Sequence, residues 1–157
     1  MKNLIVIILI MAMFSCKSDK VLDSLNIDKD GTTKITNAGF FKKWKLISYE
    51  NRKALSYNVI MELKPEKNEK GFYILNGKST INFYYAGFDF QDGNKTLIIN
   101  DISVTEIAGG KAEQEFETDF LNRLAKVGKY EISNDNKSFT LITSDTTPKK
   151  LYFTVAE

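Results

Sequence analysis

Histidine is absent from the 157 residues, and cysteine occurs once, as Cys16. Without histidine there is no Ser-His-Asp or Cys-His catalytic set and no His-ligated metal. A single cysteine excludes an intrachain disulfide. Proline is nearly missing too: Pro65 and Pro148 are the two present, and both fall in expected loops. Charge of either sign is never in large excess. The net charge is +2, and removing the first 15 residues, whose sole charge is Lys2, leaves +1. A chain so close to neutral lacks the electrostatic footprint of a nucleic-acid binder. The apolar run Leu4–Phe14 has the length of a signal-peptide core and is too short to cross a bilayer as a permanent helix.

What is present suffices for one domain. Hydrophobic residues make up 43% of the chain, enough for a real core, and 157 residues suit a single domain behind a leader. Met1-Lys2-Asn3 is a short basic start, Ser15 is a small residue before Cys16, and the chain turns polar at once with Lys17-Ser18-Asp19-Lys20. This layout resembles a bacterial lipoprotein signal, with residues 1–15 removed and Cys16 lipidated. Met13 stands where such signals usually carry Leu, and Phe14 is less usual at its place. An ordinary secretory leader with an incidental thiol is the alternative. Acyl chains on Cys16 would anchor the protein firmly, since each buried methylene adds about 0.8 kcal/mol. By the sorting rule of enteric-type bacteria, Lys17 after the cysteine, in place of Asp, directs the protein to the outer membrane. The expected location is therefore the bacterial cell envelope, with the membrane itself as a partner.

Residues 16–42 read as a polar tether. Within it, Asn26-Ile27-Asp28-Lys29-Asp30-Gly31-Thr32 places oxygen side chains at alternate positions before a glycine, as in a calcium loop of EF-hand type. The pattern then fails: Asn37 holds the twelfth position, where a bidentate Glu is needed. The competing reading is a turn at Asp30-Gly31 reversing the chain between Leu25–Ile27 and Thr33–Thr36.

From Lys43 onward short alternating segments predominate. Lys43–Glu50 places Trp44, Leu46 and Ser48 on one face, and Tyr57–Lys64 does the same with Val59, Met61 and Leu63. Pro65–Lys70 reads as a charged loop, and Gly71–Leu75 as a strand ended by Asn76-Gly77. Thr80–Phe90 is the most aromatic segment, with Gly87 suggesting a bulge. Thr96–Asn100 reads as a short strand and Ile102–Ile107 as extended chain. Late strands centre on Tyr130/Ile132, Phe139/Leu141 and Leu151/Phe153/Val155.

One stretch has helical spacing instead. Phe116, Phe120, Leu124 and Val127, with Leu121 beside them, predict a helix from Lys111 to Val127. Gly109-Gly110 marks the break before it, and Gly128 suits a left-handed end. Glu113, Glu115, Glu117 and Asp119 crowd its first half, while Arg123, Lys126 and Lys129 come late, as the helix dipole favours. The acids read as a solvated face. A metal site at Glu113 and Glu117, one turn apart, is the sharper alternative, and the lack of histidine and the following cations argue against it. The fold class is therefore mainly β with one α-helix (α+β): a curled antiparallel sheet or cracked, conical barrel of about eight strands against a single helix.

In order and spacing these residues resemble the META domain, also called HslJ-like, over residues 43–157. The likeness rests on Trp44 in a W-x-L strand, on Gly77, Asn82 and Gly87, and on Thr105-Glu106-Ile107-Ala108-Gly109 before the helix. It continues through Glu117, Phe120, Leu121 and Leu124, in the family's E-x-x-F-L-x-x-L style, and Tyr130 in the strand after them. The resemblance implies a conical barrel wrapped against one helix, in envelope lipoproteins linked to stress tolerance without agreed catalytic residues. Many members carry a cysteine just before the Asn and another after the Ala. Here those places hold Ile81 and Gly109, so no disulfide or thiol role carries over.

Three functions compete. The first is a non-enzymatic envelope lipoprotein binding an apolar or amphipathic ligand or an envelope protein. Tyr73, Phe83, Tyr84, Tyr85 and Phe88 are its candidate binding residues, being more aromatics than one face can bury. The second is a periplasmic protease-inhibitor or chaperone-like module using the helix and its flanking loops. The third is a carboxylate enzyme, but no spacing places two acids across a cleft. The expectation is a non-enzyme without cofactor or metal.

Overall fold

The computed structural model describes residues 25–27, 33–35, 39–50 and 53–157, the first two segments by backbone alone. The leader, Cys16, residues 28–32 of the calcium-like loop and Asn37 lie outside the described residues. Strands β1 (Leu25–Ile27) and β2 (Thr33–Ile35) pair antiparallel, Leu25 opposite Ile35 and Ile27 opposite Thr33, as the turn reading requires.

The second unit, Asn37–Glu157, is a barrel. Its strands are β3 (Lys43–Tyr49), β4 (Ile60–Lys67), β5 (Tyr73–Lys78), β6 (Phe83–Gln91) and β7 (Thr96–Val104). Helix α1 (Lys111–Leu124) intervenes before β8 (Val127–Ile132), β9 (Ser138–Thr143) and β10 (Lys150–Val155). All neighbours are antiparallel and the ring closes in the order β10-β3-β4-β5-β6-β7-β8-β9. The sheet is thus a closed barrel of eight strands rather than a merely curled one. Its thinnest joint is β7–β8, held in register by Thr96 opposite Lys129. This is the joint whose two strands the helix connects.

Period-two burial builds the interior. Trp44 and Leu46, then Val59, Met61 and Leu63, point inward as their spacing predicts. Each such side chain contributes about 2 kcal/mol of transfer free energy. Phe40 and Phe41, which composition groups with the tether, close one end of the barrel. Phe40 is fully buried, with its ring stacked on Phe90 at 4.9 Å and edge-on to Tyr130 and Phe139. Its carbonyl accepts the Trp44 indole N–H at 3.1 Å. Helix α1 covers the other end: Phe120 and Leu124 are buried, and Phe116 packs on Tyr57 and Tyr49.

Several expectations fail for local reasons. Pro65 does not sit in a loop; β4 continues to Lys67, and the proline falls where the β4–β5 register shifts, between Lys64 and Lys67. A bulge tolerates the missing N–H. The turn comes later, where Asn68 Oδ1 accepts the N–H groups of Lys70 and Phe72 and Gly71 takes φ +84°. Asn76-Gly77 is not a turn but the middle of β5. A Cβ on Gly77 would lie 2.1 Å from Tyr84 Cζ, so the glycine makes room for that ring. The bulge signalled by Gly87 is real, and the extra residue lies opposite, in β7, around Asp101 at φ 53°. The helix stops at Leu124 instead of Val127, and Gly128 is not a left-handed cap. Val127 pairs with Thr143 and Ser144 N–H donates to the Lys126 carbonyl, so the sheet captures the chain one turn early.

Candidate functional site

Two features stand out, one buried and one exposed. The buried one is built on Glu117. Its spacing puts it on the same helix face as Phe120 and Leu124, so it is driven inward with them and is 8% exposed. The β5–β6 connection supplies its partners. Oε1 accepts the Asn82 side-chain amide at 2.7 Å, and Oε2 accepts the Asn82 backbone N–H at 3.1 Å and the Ser79 hydroxyl. Asn82 extends the set: its Oδ1 accepts the Thr105 hydroxyl at 2.9 Å and the Ile107 N–H at 2.7 Å. Thr105 Oγ1 in turn accepts the Phe83 N–H. Helix, β5–β6 turn and the segment before the helix are thereby tied at one point. Burial pushes the Glu117 carboxyl up, but hydrogen bonds from Ser79 and Asn82 outweigh it and hold the group below the usual carboxylate range.

This arrangement corrects the reading of the helix acids as a solvated face, because Glu117 is inside. Nor do Glu113 and Glu117 converge on a common centre. Glu113 Oε2 accepts the Gly110 N–H at 2.8 Å and caps the helix. Among the described residues no group of three or more His, Cys, Asp or Glu side chains is placed to hold a metal ion. Ser79 is fully buried beside Glu117, so the pair has no room for a substrate, and its chemistry is that of a structural clamp.

The five aromatic residues proposed for binding do not share a surface. Tyr84 and Phe88 are fully buried, Tyr84 packing on Phe120 with its hydroxyl donated to the Ile60 carbonyl. Tyr73 packs among Phe41, Phe88 and Phe90. Phe83 and Tyr85 alone of the five face outward, 46% and 50% exposed. Two shallow hollows meet at Tyr85 and Asn76. One, of about 280 Å³, is lined by Lys43, Ile60, Glu62, Lys78 and Phe83 as well. The other, of about 440 Å³, runs over Ile74, Ala86 and Gly87 to Asp101, which Lys70 pairs at 2.6 Å. Phe83 and Tyr85 are exposed on the wall where β5 sets Lys78 opposite Phe83 and Asn76 opposite Tyr85, and β7 sets Ser103 opposite Tyr85.

No protein-family model matches the chain, and no curated protein matches it. Among solved structures, an NMR structure of a protein from Burkholderia xenovorans is similar, with a TM-score of 0.58 over 73% of this chain and 81% of that one. The two are 17% identical, and the likeness bears on the barrel fold alone.

Proposed function

We propose that the chain is a lipid-anchored envelope protein whose barrel is a non-catalytic binding module of META (HslJ-like) type, working through its outer wall. The observation that carries this reading is the filled interior. Among the described residues, Phe40 and Phe41 close one end and Phe116, Phe120 and Leu124 the other, and apolar side chains occupy the space between. Recognition falls to the exposed rings of Phe83 and Tyr85 and the hollows beside them. The family reading draws support from contacts between distant motif residues. Asn82, Thr105 and Glu117 join one hydrogen-bonded cluster. Ile81 and Gly109, the places where many members carry cysteine, lie against each other. The outward helix face is polar, with Gln114, Glu115, Thr118 and Asn122, which weighs against a helix-borne inhibitor surface.

The test uses cells expressing the full chain. Mass spectrometry of the mature N-terminus should find an acylated Cys16, and an unmodified thiol there removes the anchor. A screen of the purified protein by thermal shift and native mass spectrometry should find ligands whose effect disappears in Phe83→Ser and Tyr85→Ser. Ligands that bind those variants undiminished would place recognition elsewhere.

A further inference from the structure

We infer that the outer wall of β3–β6 is a docking face for an anionic lipid bilayer. The inference deepens the proposed outer-wall function by naming its partner. The face combines two kinds of side chain that bilayer interfaces select. Phe83 and Tyr85 stand half-exposed on β6, beside Ile60 on β4. Lys43 and Lys78 border the same hollow, and neither makes an ion pair among the described residues. Lys78 Nζ lies over the Phe83 ring, 5.7 Å from its centre, so a cation and an aromatic face share this spot. Glu62, the acid of the hollow, is 3.7 Å from Lys64 and stands opposite Lys43 across the β3–β4 pair, so Lys43, Lys64 and Lys78 together outnumber this one acid.

Aromatic rings settle at headgroup depth, and lysines beside them pair with lipid phosphates. Overall charge offers no comparable attraction, since the chain without its leader carries +1. Attraction must come from this local set. The 280 Å³ hollow is also shallow and open beside ordinary small-molecule pockets, which enclose most of their ligand. Position adds to the case. The chain enters the barrel at Lys43, on the border of this face. An anchor at Cys16 would be about 27 residues away, within roughly 90 Å even fully extended, so the face would meet the bilayer at high effective concentration.

The test is a local one and does not depend on acylation. In the full chain with Cys16→Ser, an environment-sensitive dye is attached through Asn76→Cys, between Lys78 and Tyr85 on this wall, or through Lys129→Cys on β8 across the barrel. Vesicles of phosphatidylcholine with phosphatidylglycerol should shift the Asn76 label to the blue and leave the Lys129 label unchanged. Phosphatidylcholine alone should shift neither. Neutralising Lys43→Gln and Lys78→Gln should weaken the partition about fivefold each. Equal shifts at both labels, no shift at Asn76, or a shift indifferent to anionic lipid would each overturn the docking face. A free phosphate analogue that produced the full Asn76 shift would overturn it as well. None of these results bears on the N-terminal mass of the mature protein, so the anchor and the face fail separately.

Discussion

Glu117 and Asn82, 35 residues apart, meet through both oxygens of the carboxylate: one takes the side-chain amide, the other the backbone N–H. A charged group placed inside a barrel end in this way is costly unless every lone pair is used. Here the β5–β6 connection supplies the donors, from Ser79, Thr80 and Asn82. Replacing Glu117→Gln swaps one carboxylate oxygen for an NH2 donor, which then faces groups that are themselves donors, Ser79 Oγ and the two nitrogens of Asn82. The expected loss is about 3 kcal/mol by urea denaturation. Asn82→Ala should cost a similar amount, and the double variant much less than both together, since the two act through one cluster. Full additivity would mean that the cluster does not work as a unit.

The same carboxylate sets an acid limit. Its folded-state value lies below the usual one, so its contribution is whole at neutral pH. The contribution is lost as pH falls from the unfolded value, about 4.3, through the lowered folded value. Wild type should therefore lose stability over that range more steeply than Glu117→Gln, whose side chain does not titrate. Parallel stability curves for the two proteins would count against the assignment.

Ile81 and Gly109 offer a covalent test of the helix approach. A Cβ on Gly109 would fall 1.6 Å from Ile81 Cδ1 and 2.9 Å from its Cγ1, so the Ile81 side chain points at the place a Gly109 side chain would take. In a Cys16→Ser background, Ile81→Cys with Gly109→Cys should oxidise to an intramolecular disulfide. The gain should be about 3 kcal/mol over the reduced form, read by non-reducing electrophoresis and thermal unfolding. Each single variant should gain nothing from oxidation.

Tyr49 presents the opposite case, a polar group without use. It is 9% exposed, its hydroxyl has no hydrogen-bond partner among the described residues, and burial raises its pKa. Its ring is what matters: the Arg123 guanidinium lies 4.3 Å from the ring centre, and Glu50 and Asp119 hold that arginine in place. Tyr49→Phe should keep these contacts and raise stability by about 1 kcal/mol. Tyr49→Ala should lower it by about 3 kcal/mol.

The alternating strands were legible because one buried face leaves a period of two, as in Trp44/Leu46 and Val59/Met61/Leu63. Closure was not, since no local pattern tells β3 that its neighbour is β10. Gly77 misled because Asn-Gly is a strong turn pair, while the true constraint is the Tyr84 ring on the next strand. Glu117 was partly legible: an acid in line with Phe120 and Leu124 interrupts an apolar stripe, and that interruption was the signal. Its partners at Ser79 and Asn82 were beyond reach of any local rule. The split of Phe83 and Tyr85 from Tyr84 and Phe88 follows from plain alternation along β6. Only placement in the closed wall shows which set is outside.

The pairing of β3 with β10 has a consequence for how the chain is made. The first strand of the barrel must wait for the last, some hundred residues later, before its second edge is covered. A polypeptide threaded through a translocon from its N-terminus would emerge with β3 open along that side until Val155 had passed. If the chain is exported in this way, the long-lived hazard is this unpaired strand, and a holding chaperone would be needed for the interval before β10 arrives.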